Sequence, residues 1–144
     1  MNKPNKLDFN NNNLYIGIDA HKKNWEIVLR CNGLQLKRFN MDPSPQQLTD
    51  YLKRNYPNAH YIAVYEAGFC GFWIQRQLHA LDIECIVVNP ADIPTSNKEK
   101  VNKNDRIDAS KLARELENNS LQGIYLPNRE LEQLRSLMRL RKQL

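Results

Sequence analysis

The stretch Leu14-Tyr15-Ile16-Gly17-Ile18-Asp19 is a short, mostly apolar run that ends in a carboxylate. A run of this length is long enough for a buried β-strand and too short for a helix. We therefore predict a strand over 14–18 that ends at Asp19. A second run, Ile62 to Tyr65, leads in the same way to Glu66. Two strands are thus expected to carry a carboxylate at their carboxyl ends.

The remaining sequence alternates between strand and helix patterns. Strand-like runs at Trp25–Leu29 and Leu34–Phe39 flank Asn32-Gly33, a strong hairpin signal, so the first three strands are predicted to form an antiparallel meander. Ser44 and Pro45 are typical of a helix start. That helix is predicted to end at Pro57, and it is followed by a strand at Tyr61–Tyr65, a helix at Phe72–Leu81, a strand at Glu84–Val88, a loop at Ala91–Asn104 and a helix at Asp105–Glu117.

This order of elements is that of the ribonuclease H-like fold, although it also fits other α/β arrangements. We predict an α/β domain with a mixed five-stranded sheet and helices on both faces. In such a sheet the first and fourth strands are parallel neighbours joined by a right-handed crossover. Ligands bind in the crevice beyond the carboxyl ends of such strands, where Asp19 and Glu66 are expected.

Two further carboxylates, Asp105 and Asp108, are expected on one face of the helix predicted at Asp105–Glu117, because residues three apart are neighbours there. Aspartates near a helix start can instead cap the helix or complement its dipole. Asp19 alone could form a turn, and Glu66 could be an ordinary loop residue. Taken together, the four indicate a Mg²⁺ site, because Mg²⁺ prefers oxygen ligands. Two such ions about 4 Å apart can stabilise the attacking and leaving oxygens in phosphodiester chemistry.

Charge supports the same interpretation. The chain has 144 residues, a net charge of +5 and 41% hydrophobic residues, enough for a single core. A basic zone beside an acidic cluster suits a polyanionic backbone, although such residues can also form solvated helix faces. The candidate nucleic-acid-binding residues are His21, Lys22, Lys98, Lys100, Lys103, Arg106, Lys111 and Arg114. Alternatively, His21 is a loop residue with no functional role.

Other features exclude some classes of protein. The first residues are polar and lack the apolar segment of a signal peptide, and no run is long enough to span a membrane. Cys31, Cys70 and Cys85 form no C-x-x-C or zinc pattern, which favours reduced thiols in the cytoplasm. Phe72 and Trp73 could stack on nucleotides, but helical spacing with Leu78 favours core packing for Trp73.

Four segments resemble the DEDD-type insertion-sequence transposases, which include the bridge-RNA-guided recombinases and the pilin-gene invertase. They are Gly17-Ile-Asp-Ala-His-Lys22, Tyr65-Glu-Ala-Gly-Phe-Cys-Gly-Phe-Trp73, Val87-Val-Asn-Pro90 and Lys103-Asn-Asp-Arg-Ile-Asp-Ala109. The resemblance implies a RuvC-like domain that acts in DNA strand cleavage and exchange. It implies a catalytic, Mg²⁺-binding tetrad of Asp19, Glu66, Asp105 and Asp108, at which Mn²⁺ is expected to substitute.

The resemblance also implies a larger organisation. Members of the family look two-domained, with a coiled coil and then a C-terminal domain that carries a serine thought to be the nucleophile. We therefore expect a disordered polar tail at 1–13, a RuvC-like domain at 14–127 and the start of a coiled-coil helix at 128–144, so that this chain would be inactive alone. The expected partners are DNA, a guide (bridge) RNA and further copies of the chain, in a homodimer or larger oligomer. The expected location is the prokaryotic cytoplasm, at the nucleoid when the protein is active, without a membrane.

Two alternatives remain open at this stage. One is a self-sufficient endonuclease that cuts branched DNA such as four-way junctions. The other is a non-catalytic module for guide-RNA binding and dimerisation. A sugar-kinase or actin type of fold is disfavoured, because Ala20-His21-Lys22-Lys23 offers no glycine or hydroxyl to cradle phosphate.

Overall fold

The computed structural model describes residues 9–68, 71–89, 108–121 and 123–125, the last segment by its backbone alone. Its strands are β1 (Asn13–Ala20), β2 (Trp25–Cys31), β3 (Leu34–Met41), β4 (His60–Glu66), β5 (Glu84–Val88) and β6 (Gly123–Tyr125). Its helices are α1 (Pro45–Asn55), α2 (Trp73–Ala80) and α3 (Ala109–Glu117).

All six strands belong to one sheet, in the order β3-β2-β1-β4-β5-β6. The predicted five strands are present, and β6 is an addition that the sequence analysis missed. It pairs antiparallel with β5 through three residues. An element this short has no hydrophobic period by which a sequence pattern could be recognised.

The first three strands form the predicted meander. β2 pairs antiparallel with both β1 and β3. At the β2–β3 turn, Asn32 and Gly33 have φ angles of 51° and 78°. Positive φ at both central residues is the requirement of a type I′ hairpin turn, which Asn-Gly meets at low cost.

β1 and β4 are parallel neighbours, and their register ends with Ile18 opposite Tyr65. β4 in turn pairs in parallel with β5. A meander followed by two parallel strands, in this spatial order, confirms the predicted ribonuclease H-like, RuvC-like fold.

The two faces of the sheet are covered by different helices. α1 and α2 pack on one face, where their Leu48, Leu52, Ile74 and Leu78 join the main core with buried β1, β2, β4 and β5 residues such as Ile16, Trp25 and Tyr65. α3 packs on the other face, where its Leu112 contacts the β4 and β5 residues Val64 and Ile86. Helices on both faces were predicted, and the structure confirms them.

Local signals at α1 agree with the sequence prediction, and those at α2 and α3 agree in part. The Ser44 hydroxyl accepts a hydrogen bond from the Gln47 N–H at 3.1 Å, as expected of a helix cap. α2 begins one residue later than predicted, with Phe72 in the cap position. Asp108 is the cap of α3 rather than part of it. The prediction that α3 includes Asp108 is therefore wrong.

Trp73 also departs from expectation, because it is 40% exposed. Its ring nevertheless lies 6.1 Å from that of the buried Trp25, centroid to centroid. Tyr65, Cys31 and Cys85 are buried. The predicted loop 91–104, most of the polar tail, the helix from 128 onward and Cys70 lie outside the described residues. Within the part that is described, no helix is long and apolar enough to cross a membrane.

Candidate metal and nucleic-acid site

Asp19 and Glu66 lie at the carboxyl ends of adjacent parallel strands. Ile18 is opposite Tyr65, and each carboxylate is the next residue along its strand. Side chains alternate between the faces of a sheet, so Asp19 shares a face with Gly17, and Glu66 shares one with Val64. Both of these neighbours contact α3. The structure therefore places the two carboxylates side by side on the face that α3 covers.

Asp19 is held by a neighbour from the turn that follows β1. The Nε2 atom of His21 lies 3.1 Å from the Asp19 Oδ2, and the two side chains are 43% and 16% exposed. The His21 N–H also donates to the Asn24 carbonyl at 3.0 Å, which closes the turn between β1 and β2. The predicted histidine thus contacts the carboxylate directly and can orient it.

α3 packs closely against β1 near the start of the helix, immediately after Asp108. A Cβ built on Gly17 would lie 2.1 Å from the Ala109 carbonyl oxygen and 2.8 Å from the Ala113 nitrogen. Only glycine permits backbones to approach this closely. Asp108 immediately precedes this contact, so it lies at the end of α3 that faces the Asp19 region of β1.

Asp108 also has a structural task. Its Oδ1 accepts a hydrogen bond from the Lys111 N–H at 2.9 Å. This is the capping role that the sequence analysis weighed against metal binding, and it engages one of the two carboxylate oxygens. Capping and metal binding are compatible, because a carboxylate has two oxygens with several lone pairs.

The predicted basic residues are only partly described. Lys22 is exposed in the turn after β1, and Arg114 is exposed on α3, with Lys111 one turn before it. The Arg114 Nε lies 4.0 Å from the Glu115 Oε1, and the Arg114 side chain is 49% exposed, so this long pair contributes little to stability. The fourth predicted ligand, Asp105, and the basic residues Lys98, Lys100, Lys103 and Arg106 lie outside the described residues.

Sequence reasoning missed a further carboxylate beside the site. Glu26 is the direct cross-strand partner of Asp19, so their side chains share a face. Its Oε1 accepts a hydrogen bond from the Arg38 Nη2 at 2.7 Å. The sequence did contain a clue, because Asp19 and Glu26 lie on either side of the short connection between β1 and β2 and could be expected to pair across it. The pairing with Arg38 gives Glu26 an ion-pair role that sets it apart from the predicted site residues.

The far end of α3 is fixed by a second anchor. Glu117 accepts a hydrogen bond from the Arg30 Nε and another from the Gly33 N–H, each at 2.9 Å. The Arg30 and Glu117 side chains are only 16% and 12% exposed, so water screens this pair less than a surface pair. α3 is thereby tied to the β2–β3 hairpin at one end and to Gly17 near the other.

The chemistry of the donors fits Mg²⁺, since β1, β4 and the α3 cap each contribute carboxylate oxygen. Over the described ranges, however, no three His, Cys, Asp or Glu side chains lie close enough together to hold an ion. Asp105 lies outside the described residues, so this statement does not include it. The described carboxylates are therefore suitable ligands for Mg²⁺, but by themselves they do not form a complete metal-binding site.

Comparison with known proteins gives a consistent result. The family model for DEDD transposases of the IS110 type, described as a transposase, matches residues 16–144. The transposase of insertion sequence IS1533 from Leptospira borgpetersenii is 34% identical over 106 residues, which cover 70% of this chain and 30% of the relative. The Sinorhizobium fredii protein y4rJ, also named as a transposase, is 51% identical over 55 residues, which cover 38% of this chain and 14% of the relative. The chain thus spans less than a third of the length of these curated relatives.

Solved structures also resemble the chain. Thermus thermophilus RuvC in complex with a Holliday junction substrate gives a TM-score of 0.45 at 11% identity, covering 77% of this chain and 99% of that one. Fowlpox virus resolvase in complex with Holliday junction DNA gives a TM-score of 0.40 at 16% identity, covering 60% of this chain and 67% of that one. Because these TM-scores are low, the fold is assigned from the strand order described above and not from these two structures.

Proposed function

The chain belongs to the IS110-type DEDD transposase family, and we propose from this that its carboxylate site acts in Mg²⁺-dependent cleavage and exchange of DNA strands during transposition. The observation that carries the proposal is the placement of Asp19 and Glu66 at the ends of adjacent parallel strands, on the face covered by α3. Asp108 stands at the end of α3 nearest to them.

In this proposal Asp19, Glu66, Asp108 and Asp105 would hold the metal. Bound Mg²⁺ would supply charge stabilisation for the attacking and leaving oxygens of the phosphodiester. His21 holds the Asp19 carboxylate in one orientation through its 3.1 Å contact. Lys22, Lys111 and Arg114 attract the DNA backbone, a contribution that weakens as salt rises.

Strand exchange requires a nucleophile and target selection. We assign the nucleophile to a serine in a further, C-terminal domain, and target selection to a guide RNA, by resemblance to the family. This chain alone is then expected to bind DNA and metal together but to turn over little DNA. A homodimer or larger assembly would bring two such sites onto paired DNA strands.

The test is whether divalent metal and DNA bind cooperatively. Anisotropy of a labelled duplex and of a four-way junction is measured with EDTA and with Mg²⁺, for the wild type, Asp19→Asn and Glu66→Gln. Glu26→Gln is the matched control, because it also removes a negative charge from the same face. We expect Mg²⁺ to strengthen DNA binding in the wild type and in Glu26→Gln, and to have no such effect in the two site variants.

Other outcomes distinguish the alternatives. Rapid Mg²⁺-dependent cutting of the junction by this chain alone favours a self-sufficient junction endonuclease. Tight RNA binding that survives Asp19→Asn and Glu66→Gln, together with metal-independent DNA binding, favours a non-catalytic module and contradicts the proposal.

A further inference from the structure

Phe72 and Trp73 are exposed aromatic residues at the start of α2, which packs on the face of the sheet opposite to α3. They are 39% and 40% exposed, whereas the other described tryptophan, Trp25, is 1% exposed. Phe72 occupies the cap position of α2, where Ser, Thr, Asp or Asn would stabilise the helix, and it makes no side-chain capping bond. Neither burial nor capping therefore explains an aromatic residue at this position.

The aromatic pair lies at the same end of the sheet as the carboxylates. The Trp73 ring lies 6.1 Å from the Trp25 ring, and Trp25 pairs across the sheet with Ala20, the residue after Asp19. Phe72 and Trp73 also follow β4 closely in sequence, a few residues after Glu66. The aromatic surface and the carboxylates thus lie at the same end of the sheet, on its two opposite faces.

The start of α2 is anchored to β4. The Tyr65 hydroxyl donates a hydrogen bond to the Gly71 carbonyl at 2.7 Å, and Tyr65 itself is fully buried. Gly71 has a φ of 57°, a left-handed conformation that glycine adopts without strain. This bond fixes the residue before Phe72 to the strand that carries Glu66, so the aromatic surface is held in position relative to the site.

Positive charge adjoins the aromatic pair. Lys22 and Lys23 are exposed in the turn between Ala20 and Trp25. Arg76 is exposed four residues after Phe72, so the two lie on the same side of α2. Exposed rings combined with cations are the pattern by which proteins bind unpaired nucleic acid, with bases stacked on rings and phosphates near the cations.

We propose that Phe72 and Trp73 form a stacking surface for an unpaired base of the DNA strand whose backbone reaches the carboxylates. This inference rests on the proposed function and specifies its substrate as DNA that is locally unpaired at the site. The surface favours such DNA over intact duplex because paired bases expose no ring face for stacking.

The test compares two DNAs that differ only in pairing. One is an intact duplex, and the other carries a short single-stranded gap containing the fluorescent base 2-aminopurine. Binding is measured in EDTA, so that the result is independent of metal at the carboxylates. For the wild type we expect preference for the gapped DNA and quenching of 2-aminopurine, because stacking on an aromatic ring quenches it.

Trp73→Ala is expected to weaken binding to gapped DNA by roughly 5-fold or more, in line with the known contribution of one stacked base, and to abolish the quenching. Binding to intact duplex should change less than about 2-fold, since it relies on backbone charge. Trp73→Phe keeps a ring and should keep most of the preference. Leu34→Ala is the control, because Leu34 is 66% exposed at the hairpin end of β3, remote from Asp19.

Equal losses for both DNAs in Trp73→Ala, or unchanged quenching and affinity, would overturn the stacking surface. A loss of gapped-DNA binding in Trp73→Phe as large as in Trp73→Ala would also overturn it, because binding would then not depend on an aromatic ring at this position. Failure of the proposed function has a different signature, since Mg²⁺ would then not strengthen DNA binding in the wild type, whatever the Trp73 variants do.

Discussion

At the scale of single residues, Asp108 shows how one side chain can serve both the fold and the proposed chemistry. The sequence left metal binding and helix capping as rival explanations, and the structure shows the cap. The cap occupies one carboxylate oxygen, so it does not decide the metal question. The two roles can be separated because asparagine caps a helix about as well as aspartate does but lacks its charge.

Asp108→Asn is therefore expected to leave the free energy of unfolding within about 0.5 kcal/mol of wild type, while Asp108→Ala lowers it by about 1 kcal/mol. Mn²⁺ binding, followed by the electron paramagnetic resonance signal of the free ion, should weaken strongly in both variants. Mn²⁺ binding by Asp108→Asn that equals wild type would leave the residue with its capping role alone.

At the scale of elements, α3 is the part whose placement determines the site. It is fixed at Gly17 by close backbone packing and at the β2–β3 hairpin by Glu117. The helix itself was predicted from the sequence. The sequence did not identify the first residue of the helix, because Asp105 and Asp108 are both acceptable caps; in the structure Asp108 has that role.

Gly17→Ala is expected to destabilise the protein by roughly 2–3 kcal/mol or more, because the added methyl meets backbone atoms of α3 that cannot rotate away. Urea unfolding followed by circular dichroism measures the change. Gly68→Ala is the matched control, since a Cβ there has no atom within 4 Å. Similar unfolding midpoints for the two variants would contradict the close packing of α3 on β1.

Glu117→Ala is expected to cost about 2–3 kcal/mol of unfolding free energy, because it leaves the partly buried Arg30 guanidinium and the Gly33 N–H without their carboxylate. Glu117→Gln keeps one acceptor and should cost less. Burial and, secondly, the charge of Glu117 raise the pKa of the Cys31 thiol. Removal of that charge in Glu117→Gln should therefore lower the pKa of Cys31 toward its ordinary value. Unchanged stability in Glu117→Ala would mean that the hairpin does not hold α3.

At the scale of the whole molecule, the sequence predicted the arrangement of the sheet better than the details of its surface. The Asn32-Gly33 turn and the Ser44 cap are local signals with a direct backbone cause, and both were confirmed. The exposure of Trp73 was not foreseen, because helical spacing shows that residues share a face but not whether another element covers it. Glu26 was missed because cross-strand pairing depends on register, which becomes certain only in three dimensions.

Buried cysteine and tyrosine side chains should make the stability of the fold depend on pH. Burial raises the pKa of Cys85 and of Tyr61, and burial together with Tyr51 raises that of Tyr56 to about 12. In the unfolded chain these groups lose their protons at lower pH, near 9 for cysteine and 10 for tyrosine. The folded state therefore binds more protons in this range, so its stability is fully present below about pH 9 and falls as pH rises toward 12.

Urea titrations at a series of alkaline pH values check this expectation. Cys85→Ala removes one of the buried thiols and should make the decline less steep. A free energy of unfolding that stays level between pH 9 and 11 would contradict it.

The most direct test of the central claim is anomalous diffraction from crystals soaked in Mn²⁺, with the wild type compared with Asp19→Asn. The account predicts a manganese peak among Asp19, Glu66 and Asp108 in the wild type, and its loss in the variant. A wild-type crystal without manganese at saturating concentration, with these carboxylates directed apart, would contradict the assignment of this region as a metal-dependent site for DNA strand cleavage.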